Sequence, residues 1–178
     1  MTLSERYQKE IAPKLREEFG LKNAMAVPKV TKVVVSVGLS QGIKDAKVLE
    51  TVDQTLRRIT GQQPIKTKAK KSIASFKIRQ GMVVGTMVTL RGPRMWDFLT
   101  RLTQTTFPRI RDFRGITTKV VDAKGNLSVG FRENLPFPEI RPDEVERLHG
   151  LQVTVSTTAG TKERGLALFR ALGFPFQA

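Results

Sequence analysis

The stretch from Thr67 to Leu90 constrains the fold most, because its two halves need opposite environments. Lysines crowd its beginning, and such a charge density is too costly to bury. Lys66 directly precedes the stretch, and Lys68, Lys70 and Lys71 lie within it. The second half, residues 83–91, alternates β-branched residues and Met with small or polar residues, as strands do. The pattern predicts a basic loop carried on a strand. Taken without the rest of the chain, a solvated Lys-rich face is the competing interpretation.

The net charge of the chain is concentrated in one third of its length. Between Arg57 and Arg114 there are 14 Lys and Arg residues against two acids, so this third carries +12 of the total +15. A field of one sign is costly in self-repulsion unless a polyanion neutralises it. The expected partner is therefore a nucleic acid. A membrane surface would require an amphipathic basic helix or a lipid anchor, so we expect no membrane partner.

Composition and motifs argue against an enzyme. There is no Cys and a single histidine, His149, so no zinc set can be assembled. The glycines of residues 160–165 have Walker spacing, but Leu166 and Ala167 replace the required Lys and Ser or Thr. We expect no metal, no cofactor and no catalytic residue. The chain has neither a secretory signal nor an apolar run of the roughly 20 residues that span a bilayer, so a cytoplasmic location is expected.

Hydrophobic periodicity predicts a single domain, residues 1–178, with mixed helices and strands. The predicted helices are 2–20, 45–61, 92–102, 143–148 and 161–173, with Pro13 interrupting the first and Leu166, Phe169 and Leu172 facing inward on the last. The predicted strands are 30–37, 83–91, 116–121, 127–132 and 151–157, the third and fourth forming a hairpin. Without a regular βαβ order, the fold class is α+β. We expect a largely antiparallel sheet with helices packed on one face and a long basic loop projecting from it.

One face of the predicted strand 83–91 has the features of a binding surface. It combines a small gap at Gly85, the hydroxyl of Thr89 and the guanidinium of Arg91, which favours approach of a ligand; an ordinary solvated sheet face is the alternative. A strand with paired exposed aromatics is not visible, which argues against base stacking and for recognition by shape and phosphate contacts. A DNA-binding or nucleoid-type protein is the alternative function. Its weakness is that the basic residues lie in loops and on a strand, not on a recognition helix.

Residues 72–82 form the tip of the basic loop. They include Phe76 and Ile78, but no period would bury both. We expect this loop to lack hydrogen-bonding partners and a packed face, and to be mobile in the free protein.

Several short motifs occur together in an order that is highly specific. They are Ser36-Val37-Gly38, Thr60-Gly61-Gln62, residues 67–72, 76–81 and 88–92, the stretch 107–115, Phe137-Pro138-Glu139-Ile140 and Phe174-Pro175-Phe176. Together they closely resemble the family of bacterial large-subunit ribosomal protein five, the 5S rRNA-binding protein of the central protuberance. The resemblance covers nearly the whole chain.

The resemblance implies a set of partners and a surface for each. The partners are 5S rRNA, 23S rRNA, P-site tRNA, a protein of the small-subunit head and other large-subunit proteins. It implies 5S rRNA binding by Ser36, Gln62, Lys66, Lys68, Thr89 and Arg91. It implies a tRNA contact through Phe76, Lys77, Ile78, Arg79, Gln80, Gly81 and Met82. It implies an intersubunit bridge through Arg109, Arg111, Phe113, Arg114 and Phe137. Many family members have Asn where Ser36 stands, and a hydroxyl cannot copy an amide's donor and acceptor pair.

Overall fold

A computed structural model describes residues 2–39, 46–141 and 148–177. The strands are β1 (Val30–Gly38), β2 (Ile65–Lys68), β3 (Val83–Leu90), β4 (Leu127–Phe131) and β5 (Leu151–Thr157). The α-helices are α1 (Leu3–Arg6), α2 (Ala12–Glu18), α3 (Ala46–Thr60), α4 (Gly92–Arg101) and α5 (Lys162–Ala171). The strands form one antiparallel sheet in the order β2-β3-β1-β5-β4. The predicted α+β class is confirmed.

Alternating burial along the strands explains why these sequences form a two-sided sheet. On β1, Val33, Val35 and Val37 are buried, while Val34 and Ser36 between them are half-buried. The same alternation runs along β5 and places its apolar residues on the buried face. Side chains on a strand point to opposite faces with a period of two, so one face of the sheet joins the core and the other stays open.

The chain forms two compact units, each assembled from separated stretches of sequence. The first unit comprises Met1–Val33, Leu90–Val129 and Thr154–Ala178. The second comprises Val34–Thr89 and Gly130–Val153. Within the second unit, α3 buries Val52, Leu56 and Ile59 and ends at Gly61, as the sequence predicts. The predicted cap of this helix at Asp45 lies outside the described residues.

The N-terminal helical segment of the first unit begins with the predicted capping box. The hydroxyl of Thr2 accepts from the backbone N–H of Glu5, whose carboxylate accepts from the N–H of Thr2. A π-helical turn, Tyr7–Ile11, joins α1 to α2 immediately before Pro13. Because proline lacks an N–H and its ring clashes with the carbonyl four residues earlier, the wider turn lets the helix continue through it. The interruption predicted at Pro13 is therefore a local widening of the helix and not a late start.

The same arrangement recurs after α4. A π-helical turn, Leu102–Thr106, leads into a short 3-10 helix, Phe107–Arg109, that contains Pro108. The helix predicted over 92–102 thus continues by about two turns, and Phe107 becomes a buried residue of the core.

Two predicted elements differ in the structure. Residues 116–121 are not a strand: Ile116 pairs instead with the C-terminal segment, donating to the carbonyl of Pro175 at 2.7 Å. Only Val121 bridges to Leu127, so the predicted hairpin is reduced to its turn. On α5, Leu168 and Phe169 are buried and Leu166 is half-exposed, which corrects the inward position predicted for Leu166. The helix predicted over 143–148 falls largely outside the described residues.

The turn before β4 is held by the carboxylate of Asp122. This carboxylate accepts from the backbone N–H groups of Lys124 and Asn126 and from the Asn126 side-chain amide, at 2.8–2.9 Å. The hydrogen bonds from Asn126, above all, lower the pKa of Asp122. The turn's stabilisation is therefore present above the unfolded-state pKa and is lost as the pH falls through the lower folded-state pKa.

The backbone of this turn also lies against α5. An ideal Cβ built on Gly165 would lie 2.5 Å from the Cα and 2.7 Å from the carbonyl oxygen of Gly125. Both of these are backbone atoms, which cannot move aside without displacing the turn. Gly165 therefore permits the close approach of helix and turn.

We predict that Gly165→Ala destabilises the protein, although alanine is the better helix former by about 1 kcal/mol. The overpacked backbone contact should cost about 1–3 kcal/mol. Less the gain in helix propensity, the net loss of up to about 2 kcal/mol corresponds to a fall in Tm of up to roughly 8 °C in thermal unfolding. Gly130→Ala is the matched control, since no atom lies within 4 Å of its Cβ position and its φ is not in the left-handed region. Equal Tm values for the two variants would contradict the close approach.

Candidate nucleic-acid interface

The basic residues of β2 and of the loop that joins it to β3 are exposed and have no partner in the described part of the chain. None of them makes an ion pair or a side-chain hydrogen bond with any other described residue. They are Lys66, Lys68, Lys70, Lys71, Lys77 and Arg79. Six like charges within 14 residues repel each other unless counterions or an anionic partner neutralise them. These six cations are therefore available to an anionic partner.

Strand pairing distributes these lysines over two sides of the sheet. In β2, Lys66 pairs with the buried Thr86 of β3, whereas Ile65 pairs with Met87. Paired residues of antiparallel strands share a face, so Lys66 lies on the side opposite to that of Met87 and Thr89. The register shifts after Thr67, and Lys68 pairs with Val83. Lys66 and Thr89, which the resemblance groups in one contact, thus point to different sides of the sheet.

The open face of the second unit mixes hydroxyl and apolar side chains. Ser36, Thr67 and Thr89 present the hydroxyls, Val34 and Met87 share the face with them, and all five side chains are half-buried. Ile65, at the edge of this face, is 62% exposed, and Lys68 stands at the register shift where the face ends. Thr67 and Ile65 were missed in the sequence because the alternation of Ile65–Lys68 does not reveal the register against β3. Together these three hydroxyl residues and Ile65 form a neutral surface bordered by lysines, which we call the hydroxyl face.

Gln62 connects the turn after α3 to strand β3. Its side-chain N–H donates to the backbone carbonyl of Thr89 at 3.1 Å, and its backbone N–H donates to the hydroxyl of Thr60 at 3.3 Å. The structure thus brings Gln62 and Thr89 together, as the resemblance requires. One amide hydrogen of Gln62 is already engaged, while its side-chain oxygen makes no hydrogen bond within the described chain.

Gly85 has a structural role that differs from the one predicted. A Cβ on this residue would lie 2.6 Å from the carbonyl oxygen of Val37 and 3.0 Å from the hydroxyl oxygen of Thr67. The small gap is thus filled by neighbouring strands and is not an opening for a ligand. Arg91, the third predicted feature of this face, is exposed and forms the N-cap position of α4 in an extended conformation.

The loop of residues 69–82 is closed by backbone hydrogen bonds. At its base Ala69 donates to Met82 at 2.8 Å, and Gly81 donates to Ala69 at 3.0 Å. Further out, Ile73 and Ile78 donate to each other's carbonyls at 2.9 and 3.2 Å. The prediction that this loop lacks hydrogen-bonding partners is therefore wrong. The I-x-x-x-x-I spacing was the available signal for this bridge.

The tip of the loop turns through a left-handed residue. A 3-10 turn, Ala74–Phe76, ends at Lys77, whose φ of 54° and ψ of 33° are unusual for a residue with a side chain. Lys77, Arg79 and Gln80 are exposed, and Phe76 is 69% exposed. Ile78 and Met82 are half-buried. The absence of a packed face around Phe76 agrees with the sequence-based expectation.

The residues of the first unit that are expected to form the intersubunit bridge include one phenylalanine of a stacked pair. Phe113 is half-buried, and its ring lies 5.6 Å from that of the buried Phe107. Arg109, Arg111 and Arg114 are exposed. The pair between Arg111 and Asp112, at 3.9 Å, is almost fully exposed and contributes little to stability. Phe113 is thus an anchored aromatic among exposed arginines.

Phe137, the remaining bridge residue, belongs to the second unit and is 2% exposed. Its ring packs edge-on against Phe131 at 5.2 Å. A side chain buried to this extent cannot be a direct contact of a partner in this conformation. The assignment of Phe137 to the intersubunit surface is corrected: it is a core residue beneath the loop that contains it.

The described residues hold no group of His, Cys, Asp or Glu side chains that could bind a metal. His149 is half-buried, and burial lowers its pKa. Its ring nitrogen Nδ1 lies 3.3 Å from the carbonyl oxygen of Gly150. Across residues 2–39, 46–141 and 148–177, no helix is long and apolar enough to cross a membrane.

We predict that Phe137→Ala and Arg111→Ala differ in their effect on stability, because Phe137 is a core residue and Arg111 is a surface residue of the expected bridge. Phe137→Ala should destabilise the protein by about 3–5 kcal/mol through cavity formation. Arg111→Ala, whose side chain is 97% exposed, should change stability by less than about 0.5 kcal/mol. Urea unfolding followed by circular dichroism measures both. A Phe137→Ala protein as stable as the parent would show that this side chain is not a core residue.

Comparison with known proteins identifies relatives along nearly the whole chain. The family model for ribosomal protein L5 matches residues 23–79, and the model for the C-terminus of the same ribosomal family matches residues 83–176. The large ribosomal subunit protein uL5 of Roseiflexus sp. (strain RS-1) is 49% identical over 98% of this chain and 97% of its own length. The proteins of the same name from Anaeromyxobacter sp. (strain Fw109-5) and Desulfatibacillum aliphaticivorans are 50% and 49% identical; the alignments span 98% and 99% of this chain and 97% and 98% of the relatives.

Proposed function

Because the chain belongs to the ribosomal protein L5 family, we propose that it binds 5S rRNA and 23S rRNA in the central protuberance of the large ribosomal subunit. Membership in this family makes it a structural, non-enzymatic constituent of that subunit in the cytoplasmic ribosome. The expectations of a ribosomal protein without catalytic activity are thereby confirmed. The identities of its individual RNA and protein contacts are the substance of the proposal.

The hydroxyl face bordered by unpaired lysines is the observation that carries the 5S rRNA proposal. Hydroxyls of Ser36, Thr67 and Thr89 suit the wide, shallow minor groove of an RNA helix, where 2′-hydroxyls and base edges are displayed. Because this face carries no charge, it does not attract phosphates to the position that the minor groove would occupy. The phosphates are then bound by Lys68 beside this face and by Arg91 at the start of α4. Lys66 points to the other side of the sheet, but it lies on the edge strand β2, so its long side chain can extend around the edge to a phosphate.

The RNA contacts divide into two kinds that salt can distinguish. Phosphate contacts release counterions, so binding through them weakens with rising salt, whereas hydroxyl contacts are nearly salt-independent. Gln62 is expected to make a contact of the second, nearly salt-independent kind, because its side-chain oxygen is available beside Thr89. Ser36, where many family members have an amide, offers one hydroxyl and so contributes a smaller share of the recognition.

We predict different salt responses for Thr89→Val and the Lys66→Ala/Lys68→Ala pair. Thr89→Val keeps a β-branched residue and should weaken 5S rRNA binding about three- to tenfold at all salt concentrations. The lysine pair should weaken binding most at low salt and reduce the slope of log K against log salt by roughly 1.5–2. Filter binding of 5S rRNA between low and moderate salt measures both quantities.

Lys119→Ala is the control, since Lys119 is exposed and is neither part of the hydroxyl face nor one of the cations proposed to bind phosphate beside it. It should leave the affinity and the salt slope close to those of the parent. Binding that depends on Lys119 as strongly as on Lys66 and Lys68 would indicate a diffuse electrostatic association. An unchanged affinity for Thr89→Val would contradict a contact through the hydroxyl face.

We further propose that the loop tip contacts P-site tRNA. Lys77 and Arg79 are exposed cations with no partner in the described chain, and Gly81 has a φ of 86° that only glycine adopts easily. Phosphate contacts of this kind do not read sequence, which suits a site that receives every tRNA. The hydrogen bonds between Ile73 and Ile78 hold the tip in shape, so little ordering is needed upon contact.

We predict that Lys77→Gly/Arg79→Ala accelerates loss of tRNA from the P site about three- to tenfold, as expected for one or two phosphate contacts. Glycine preserves the left-handed backbone at position 77, so the tip keeps its conformation. 5S rRNA binding and assembly should stay near normal. Dissociation of labelled tRNA from purified ribosomes measures the rate. Lost 5S rRNA binding with unchanged tRNA retention would instead indicate that the loop docks on rRNA.

The contact with the small-subunit head is proposed for Arg109, Arg111, Phe113 and Arg114 only. These exposed arginines and the stacked Phe113 offer a small contact that can rearrange when the subunits rotate. Phe137 supports its loop from within. Because Arg111→Ala is expected to leave the fold intact, any weakening of subunit association in that variant reports the contact itself.

A further inference from the structure

A groove of about 470 Å³ lies between α2 and α5, entirely within the first unit. Its floor is apolar, and all of the floor residues except Leu15 are half-exposed. They are Leu15, Phe19, Leu166, Ala167 and Ala171. Leu166 is the residue whose apolar character predicted a place in the core. Its position here means that α5 presents part of its apolar stripe to the groove.

Four exposed charges border this groove, and they are Lys14, Glu18, Glu163 and Arg170. None of them makes an ion pair or a hydrogen bond through its side chain with another described residue. Lys14 and Glu18 are four residues apart on one helix, a spacing at which opposite charges often pair. An apolar floor inside a rim of exposed polar groups is the anatomy of a protein–protein interface.

The charges are ordered along the groove. The guanidinium of Arg164 lies over the ring of Phe19, 5.7 Å from its centroid, so the end of α2 adjoins the first turn of α5. Glu18 and Glu163 therefore belong to one end of the groove. Lys14 lies one turn before Glu18 on α2, and Arg170 lies two turns after Glu163 on α5, so both belong to the other end. The groove has an acidic end and a basic end.

We propose that this groove docks an amphipathic segment of another protein of the large subunit. The segment places apolar side chains on the floor, a basic residue against Glu18 and Glu163, and an acidic residue against Lys14 and Arg170. An RNA occupant is disfavoured, because two carboxylates would face its phosphates. The rim of the groove carries two acids and two bases, whereas residues 57–114 carry a net charge of +12. The electroneutral rim thus suits a protein, as the basic loop suits RNA.

Photo-cross-linking in intact large subunits tests the proposal. The photoreactive residue p-benzoylphenylalanine replaces Ala167 on the groove floor, and sucrose gradients verify that the full chain enters subunits. We expect cross-links to one ribosomal protein, within a segment that has apolar residues between a base and an acid. The exchange Lys14→Glu/Glu18→Lys reverses charges on the rim while keeping the net charge. It should lower the cross-link yield roughly tenfold, since like charges then oppose each other.

The matched control is Arg6→Glu/Glu10→Arg, which reverses an existing ion pair of the same helical segment outside the groove. This control should leave the cross-link yield unchanged. Cross-links to rRNA, the absence of any protein cross-link from subunits that contain the chain, or a yield that the Lys14/Glu18 exchange does not change would each overturn the proposal. Normal 5S rRNA binding alongside any of these outcomes shows that the RNA-binding proposal is unaffected.

Discussion

The two-sided sheet is the constraint on which the rest of the molecule depends. Valines of β1 and β5 are buried on one face because strand side chains alternate, and the intervening residues must then lie on the other face. In the second unit those residues include small hydroxyl side chains. The same alternation thus creates the core and leaves the uncharged hydroxyl face that we propose for the RNA contact. The lysines proposed to bind phosphate lie at the sheet edge, where charged groups cost least in desolvation.

Local signals in the sequence predicted the elements whose stability is decided locally. The Thr2 capping box, the Val52–Leu56–Ile59 stripe and the Gly61 terminus depend on neighbours within one or two helical turns, and all are present. The joint order of the short motifs indicated the family. Register could not be predicted in this way, because the pairing of Lys66 with Thr86 is set by the register shift after Thr67 and by the neighbouring strand.

Residues with two plausible environments were the ones misassigned. Phe137 lies in a Pro-rich loop whose composition favours the surface, yet a neighbouring ring, Phe131, is in place to bury it. Leu166 fits the apolar period of α5, yet the space before it is open. Gly85 resembles a gap for a ligand, and the carbonyl of Val37 fills it. In each case the environment of the residue is set by groups outside its own local pattern, so that pattern cannot reveal it.

The closed base of the loop has a consequence for how this protein can vary. Ala69, Gly81 and Met82 complete their own hydrogen bonds, so β2 and β3 are joined at this point whatever lies beyond it. The segment of residues 70–80 can therefore vary in length and charge without altering the register of the strands that carry it. Substitutions in the tip and substitutions in the sheet can then be selected independently of each other. If residues 70–80 are replaced by the corresponding segment of another family member, this sheet should hold the new segment in the same position, and the segment should keep its own side-chain chemistry.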